Sequence, residues 1–165
     1  MRALNPDALV VRTSAFFGPW DEWNFLTIAL RELSAGRTFP ALADVTMSPT
    51  YVPELADATL DLLVDGERGL WHLASASALT WMDFARLGAE RAGVDVSRLV
   101  PVALADARLP APRPHWSVLG SARGPLLGAV ENAICHYLAA RGTPDLPPPR
   151  PRSTTRAARR ARVAA

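Results

Sequence analysis

Ala8-Leu9-Val10-Val11-Arg12-Thr13 is the stretch that decides the fold. A short apolar, β-branched run that follows the turn pair Asn5-Pro6 reads as a buried strand. The strand opens into an aromatic loop from Ser14 to Asn24, broken at Gly18-Pro19. A helix is predicted over 25–35, closed by Gly36, because glycine accepts the positive φ of a helix end. Strand, loop and helix in that order make the first unit of an α/β chain.

The pattern then repeats. Pro53 fits a first helical position, and Glu54 and Asp57 favour the positive end of the helix dipole. Val52, Leu55, Ala56, Thr59, Leu60 and Leu63 keep to one face, and Gly66 ends the run. Gly69-Leu70-Trp71-His72-Leu73-Ala74 is the second strand. Thr80 caps another helix, with Asp83 three residues on as a weaker capping box. Trp81, Phe84, Leu87 and Gly88 supply its inner face, and Gly93 ends it. Leu99 to Leu104 is the third strand, and the prolines of 109–114 hold that stretch extended. A last helix is expected to open at Gly124-Pro125 and bury Leu127, Val130, Ile134 and Leu138. About three strands and four helices make a thin sheet, as though the chain were entered midway.

Charge divides the 165 residues into two regions. Residues 1–142 carry 12 arginines against 15 carboxylates and suit one compact domain, or part of a larger one. Residues 143–165 carry six arginines against Asp145 and are rich in proline, with too little apolar bulk to offset their ordering entropy. They are expected to be disordered. The acidic body argues against nucleic-acid binding, and no apolar run is long enough to span a bilayer. The single cysteine, Cys135, reads as a buried thiol in a reducing compartment, so a cytoplasmic location is expected.

Candidate ligand residues lie where strands and helices meet. Thr13 and Ser14 stand at the carboxyl end of a strand, the place where open α/β sheets bind ligands, though loop backbone also uses such hydroxyls. Asn24 suits a helix N-cap and equally a phosphate oxygen at a helix N-terminus, with Phe25 beside it. Pro49 and Thr50 either begin a helix or face a ligand. Arg113, between Pro112 and Pro114, presents a planar fork suited to a diphosphate, or is a solvated surface arginine. His72, His115 and His136 have no metal-ligand spacing, and no metal is expected. There is no glycine-rich dinucleotide loop, no nucleophile elbow and no lysine anywhere.

Taken together, Leu9 to Gly18, Asn24-Phe25, Ser48-Pro49-Thr50 with Leu55-Ala56-Asp57, Gly69 to Ala74, and Arg113-Pro114 with Ser117-Val118-Leu119 resemble the dTDP-4-dehydrorhamnose reductase family in the same order. These are extended short-chain dehydrogenases with a Rossmann domain. The resemblance covers roughly residues 5–141 and implies the C-terminal, substrate-binding portion, without the N-terminal dinucleotide-binding half. The family reduces dTDP-4-dehydro-L-rhamnose with NADPH to dTDP-L-rhamnose, using a Tyr-x-x-x-Lys pair upstream of this region. By that resemblance Thr13 and Ser14 would lie near the nicotinamide end of the cleft. Asn24, Phe25 and Arg113 would hold the diphosphate or sugar of a dTDP-hexose, with Pro49 and Thr50 lining the pocket. Family members often stack a tryptophan on the sugar where this chain has Ala15, so stacking would fall to Phe16, Phe17 or Trp20. A chain without lysine cannot contain the catalytic pair, so no catalytic residue and no independently bound cofactor is expected. Turnover would need a Rossmann half in trans. The alternative is a non-catalytic regulatory or protein-interaction module built on the same fold.

Overall fold

The computed structural model describes residues 5–124 and 127–142. In chain order these begin with β1 (Leu9–Arg12), β2 (Phe16–Phe17), α1 (Phe25–Ser34), β3 (Phe39–Leu42), β4 (Thr46–Met47) and β5 (Thr50–Tyr51). Next come α2 (Val52–Val64), β6 (Gly69–His72), β7 (Leu79–Thr80) and α3 (Trp81–Arg91). β8 (Leu99–Val102), β9 (Trp116–Ser117) and α4 (Val130–Ala140) complete them.

The α/β alternation is as read from the sequence. β1 and β6 run parallel, with Leu9 opposite Gly69 and Arg12 opposite His72. α2 lies over one face of that pair, where Ala58 and Leu62 pack with Trp71, Leu73, Leu9 and Val11. β2 pairs with β5 and β3 with β8, both parallel. β4 is flanked by β7, antiparallel, and β9, parallel.

The helix ends follow from the capping residues. Asn24 Oδ1 accepts from Thr27 N at 3.0 Å to start α1, and Gly36 takes φ 68° beyond its end. Thr80 Oγ1 accepts from Asp83 N at 3.0 Å and donates to the Asp83 carboxylate at 2.6 Å, so the expected Thr80–Asp83 cap is in place. A largely aromatic core joins the helices to the short strands. Phe17 lies 5.4 Å from Tyr51, 5.1 Å from Phe84 and 5.8 Å from Tyr137, ring centre to ring centre.

Four readings change. The last helix begins at Val130, not at Gly124, because Leu127 is buried ahead of it and Ser77 Oγ takes the first free amide, Val130 N, at 3.1 Å. There are nine strands among the described residues where about three were expected. Five of the additional strands are two residues long, too short to show alternation, and β3 contains Pro40. Proline is tolerated there, and at Pro101 in β8, because β3 and β8 pair only with each other and are both edges. The inner face of α2 is set by Ala58 and Leu62, whereas Leu60 and Leu63 are 59% and 56% exposed. Finally, β1 is half-buried rather than buried, and Cys135 likewise. The expected disorder of 143–165 lies outside the described residues.

Candidate functional site

The carboxyl end of β1 gathers three of the four strand groups. Leu73 N donates to Arg12 O at 2.9 Å, tying β6 to the start of the Thr13-Ser14 loop. Three residues on, Thr50 N donates to Ala15 O at 2.8 Å, tying the Ser48-Pro49-Thr50 turn to the same loop. Ala15 has φ 32°, the one non-glycine residue among those described with positive φ. Strain of this kind persists only where neighbours over-determine it, and here the Thr50 bond and the β2–β5 pairing do so. The third wall is the segment after Arg113. Ser117 lies opposite Met47, Leu119 N donates to Ser48 Oγ at 3.3 Å, and His72 Nδ1 lies 2.7 Å from Gly120 O. Residues 113–120 therefore run from β4 across the end of β6.

The candidate residues fall into two groups on this frame. Asn24 is buried, and its carboxamide is fully committed. Nδ2 lies 3.0 Å from Gly18 O, 2.5 Å from Asp21 O and 2.8 Å from Thr27 Oγ1. Phe25 packs 4.7 Å from Trp81 and 5.4 Å from Phe39, ring to ring. Pro49 and Thr50 are fully buried, with Thr50 Oγ1 donating to Ser48 O at 3.2 Å. These four shape the loop and the floor beneath it.

Thr13, Ser14 and Arg113 are different. Thr13 Oγ1 is shielded from solvent without a hydrogen-bond partner among the described residues. A buried hydroxyl left unpaired costs about 1–3 kcal/mol, which a ligand oxygen or amide at that position would recover. Ser14 is half-buried beside it, and Arg113 is exposed on the approaching segment. His72, at the carboxyl end of β6, stands at the same edge. A carbonyl only accepts, so the Gly120 contact places a proton on Nδ1, while Nε2 is also unpartnered among the described residues and shielded. Trp71 Nε1 is a third such atom, under the Arg123 guanidinium 4.4 Å from the Trp71 ring. Hydroxyls and histidines are individually too common for sequence to single these out.

The family model described as the RmlD substrate binding domain matches residues 1–133. The chain belongs to that family. Among curated relatives it is 34% identical over 156 residues to the dTDP-4-dehydrorhamnose reductase of Mycolicibacterium smegmatis, covering 88% of this chain and 47% of that protein. It is 37% identical over 123 residues to a probable low-salt glycan biosynthesis reductase of Haloferax volcanii, covering 72% and 41%. The chain thus spans less than half the length of these two relatives. A solved dTDP-4-dehydrorhamnose reductase from Bacillus anthracis, in complex with NADP, superposes with TM-score 0.73 at 26% identity, over 79% of this chain and 48% of that one. The Clostridium acetobutylicum reductase shares the fold at TM-score 0.76 and 24% identity, over 84% and 50%.

For an RmlD substrate binding domain, the arrangement suits a polar ligand at the ends of β1 and β6. Neither β1 nor β6 leads into a glycine-rich turn at a helix N-terminus, and a Cβ added at Gly18, in the loop after β1, would meet the Val52 side chain at 3.5 Å. Among the described residues no group of His, Cys, Asp or Glu has metal-binding geometry, and no helix is long and apolar enough to cross a membrane.

Proposed function

We propose that this chain is the sugar-nucleotide-binding part of a dTDP-4-dehydrorhamnose reductase-like protein, taking a dTDP-hexose at the carboxyl ends of β1 and β6. The observation that carries this is the unpaired, shielded Thr13 hydroxyl at that edge, within a chain of this family. Thr13 and Ser14 bond the sugar end. Arg113 supplies a bidentate fork to the diphosphate. Asn24, Phe25, Pro49 and Thr50 act beneath them, holding the loop in the strained form that Ala15 records. The family reaction is reduction of a 4-keto sugar nucleotide by NADPH. These 165 residues contain no lysine and so no Tyr-x-x-x-Lys pair to donate the proton, and the reduction requires a dinucleotide-binding half beyond them.

Calorimetric titration with dTDP-glucose tests the binding claim. Binding is expected, with Arg113→Ala weakening it about tenfold, roughly 1.4 kcal/mol, at unchanged melting temperature because Arg113 is exposed. No heat up to about 5 mM nucleotide sugar, a ceiling near −3 kcal/mol, would sink the proposal. NADPH oxidation by the chain alone is expected to be nil.

A further inference from the structure

Two links run side by side between the small sheets. Residues 43–45 join β3 to β4, and residues 103–115 join their partners, β8 and β9. The long link carries Arg113, and burial does not hold it. Residues 108–116 are all exposed, and no ion pair among the described residues involves Arg113. Its backbone is stiff all the same. The prolines at 110, 112 and 114 each fix their own φ and restrict the residue before them, so residues 109–114 behave as an arm rather than a coil. Where a stiff arm points is decided at its anchors.

Both anchors are on one residue. Asp44 Oδ1 accepts from Leu104 N at 2.9 Å, at the start of the link. At its end, His115 Nδ1 lies 3.0 Å from Asp44 O and 3.6 Å from Asp44 Oδ2. A carbonyl only accepts, so His115 donates to it. Thr46 N then donates to His115 O at 2.8 Å and leads into the β4–β9 pairing. The first anchor depends on the side chain and ends on a carboxylate, which makes it stronger than a bond between neutral groups. The second uses the main chain and survives a change of side chain.

We infer that Asp44 is a positioning residue for the ligand. It clasps both ends of the 103–115 link, the first with its carboxylate and the second with its carbonyl, and so sets where Arg113 presents its guanidinium. The inference rests on the reading of Arg113 as the diphosphate-binding residue given above. A carboxylate is the wrong group to meet a diphosphate, so Asp44 acts through Arg113 and not on the ligand.

The test measures dTDP-glucose affinity of the full chain by calorimetry, and hydrogen exchange at the Leu104 amide on the same samples. Asp44→Ala should weaken binding about three- to tenfold, bounded by the loss expected of Arg113→Ala, and should speed Leu104 exchange several-fold. Asp44→Asn keeps an oxygen to accept from Leu104 N and should recover most of both. In the Arg113→Ala background, Asp44→Ala should weaken binding no further, a non-additivity that a general loosening of the fold would not produce. Unchanged affinity in Asp44→Ala, an equal loss with and without Arg113, or no recovery in Asp44→Asn would overturn the inference. Absence of dTDP-glucose binding by the wild-type chain sinks the functional reading instead, and the clasp is then decided by the Leu104 amide. Slow exchange in the wild type and Asp44→Asn with fast exchange in Asp44→Ala supports it, and equal exchange in all three overturns it.

Discussion

Gly88 on α3 is where the packing that supports the site is tightest. A Cβ there would fall well inside contact distance of Leu26 Cδ1, and 3.5 and 3.6 Å from Leu26 Cγ and Cδ2. Leu26 is completely buried in α1, two residues after the Asn24 cap. Two effects of Gly88→Ala compete. Alanine in a helix interior gains about 1 kcal/mol over glycine. Forcing a methyl group into a filled core costs about 1–3 kcal/mol, toward the upper end here because Leu26 is packed among Phe17, Phe84 and Ile134 and has nowhere to turn. The net expectation is a loss of about 1–2 kcal/mol, read as a lower urea midpoint at constant slope.

The decisive measurement is the double mutant. Leu26→Val removes one methylene and alone costs about 1 kcal/mol, but it clears the space that the new Cβ needs. Combined with Gly88→Ala, it should restore most of the helix gain, giving a favourable coupling of about 1–2 kcal/mol. If Gly88→Ala alone stabilises the chain by about 1 kcal/mol, or if the two changes simply add, the close approach of α1 and α3 is not what holds the loop between β1 and α1 in place.

Asn24→Ala should cost about 1–2 kcal/mol, a lost cap plus the amide's bonds to the Gly18 and Asp21 carbonyls, each of which keeps one donor, Asp21 N and Thr27 Oγ1 respectively. Asn24→Asp keeps the bond from Thr27 N but sets a carboxylate against those same carbonyls, so it should be no more stable than the alanine variant in urea titration. Asp matching wild type would refute this assignment. Burial raises the Tyr137 pKa above the ordinary tyrosine range, and burial followed by the Glu54 charge raises that of Tyr51. A raised folded value means that the stabilisation is complete below the unfolded tyrosine pKa of about 10 and is lost as pH rises through and beyond it. The urea midpoint should therefore fall between about pH 9 and 11, and Tyr137→Phe should flatten that fall.

What the sequence shows of this fold depends on how far a local signal outruns its surroundings. Thr80 with Asp83, Gly36 and Gly66 mark helix ends through bonds and φ values made within a few residues, and the structure has all of them. β4, β5, β7 and β9 pair with segments distant in sequence, over two residues each, and nothing local announces them. The face of α2 is the instructive case. The apolar stripe through Leu60 and Leu63 is real, but an amphipathic pattern says only that a face is apolar. It does not say that its covering surface belongs to the same chain.

The site shows the same division. Asn24, Thr50 and Thr13 are interchangeable as sequence letters, each a polar residue where a strand or loop meets another element. In the structure they part company on one criterion, whether the polar atoms are already satisfied. The Asn24 amide lies against three acceptors and Thr50 donates to its own turn, so a ligand reaching either would have to displace a bond of comparable strength and gain little. The Thr13 hydroxyl and His72 Nε2 have displaced nothing. A hydrogen bond offered to them is worth its gross rather than its net energy, because the desolvation cost was met when the chain folded. Affinity at this edge should therefore follow Thr13 more steeply than Asn24. Thr13→Val, which keeps the shape and removes the hydroxyl, should weaken nucleotide-sugar binding while raising stability by about 1 kcal/mol, since a buried unpaired group is lost. Lower stability in Thr13→Val would mean that its hydroxyl is already satisfied within the chain, and the ligand edge would have to be sought elsewhere.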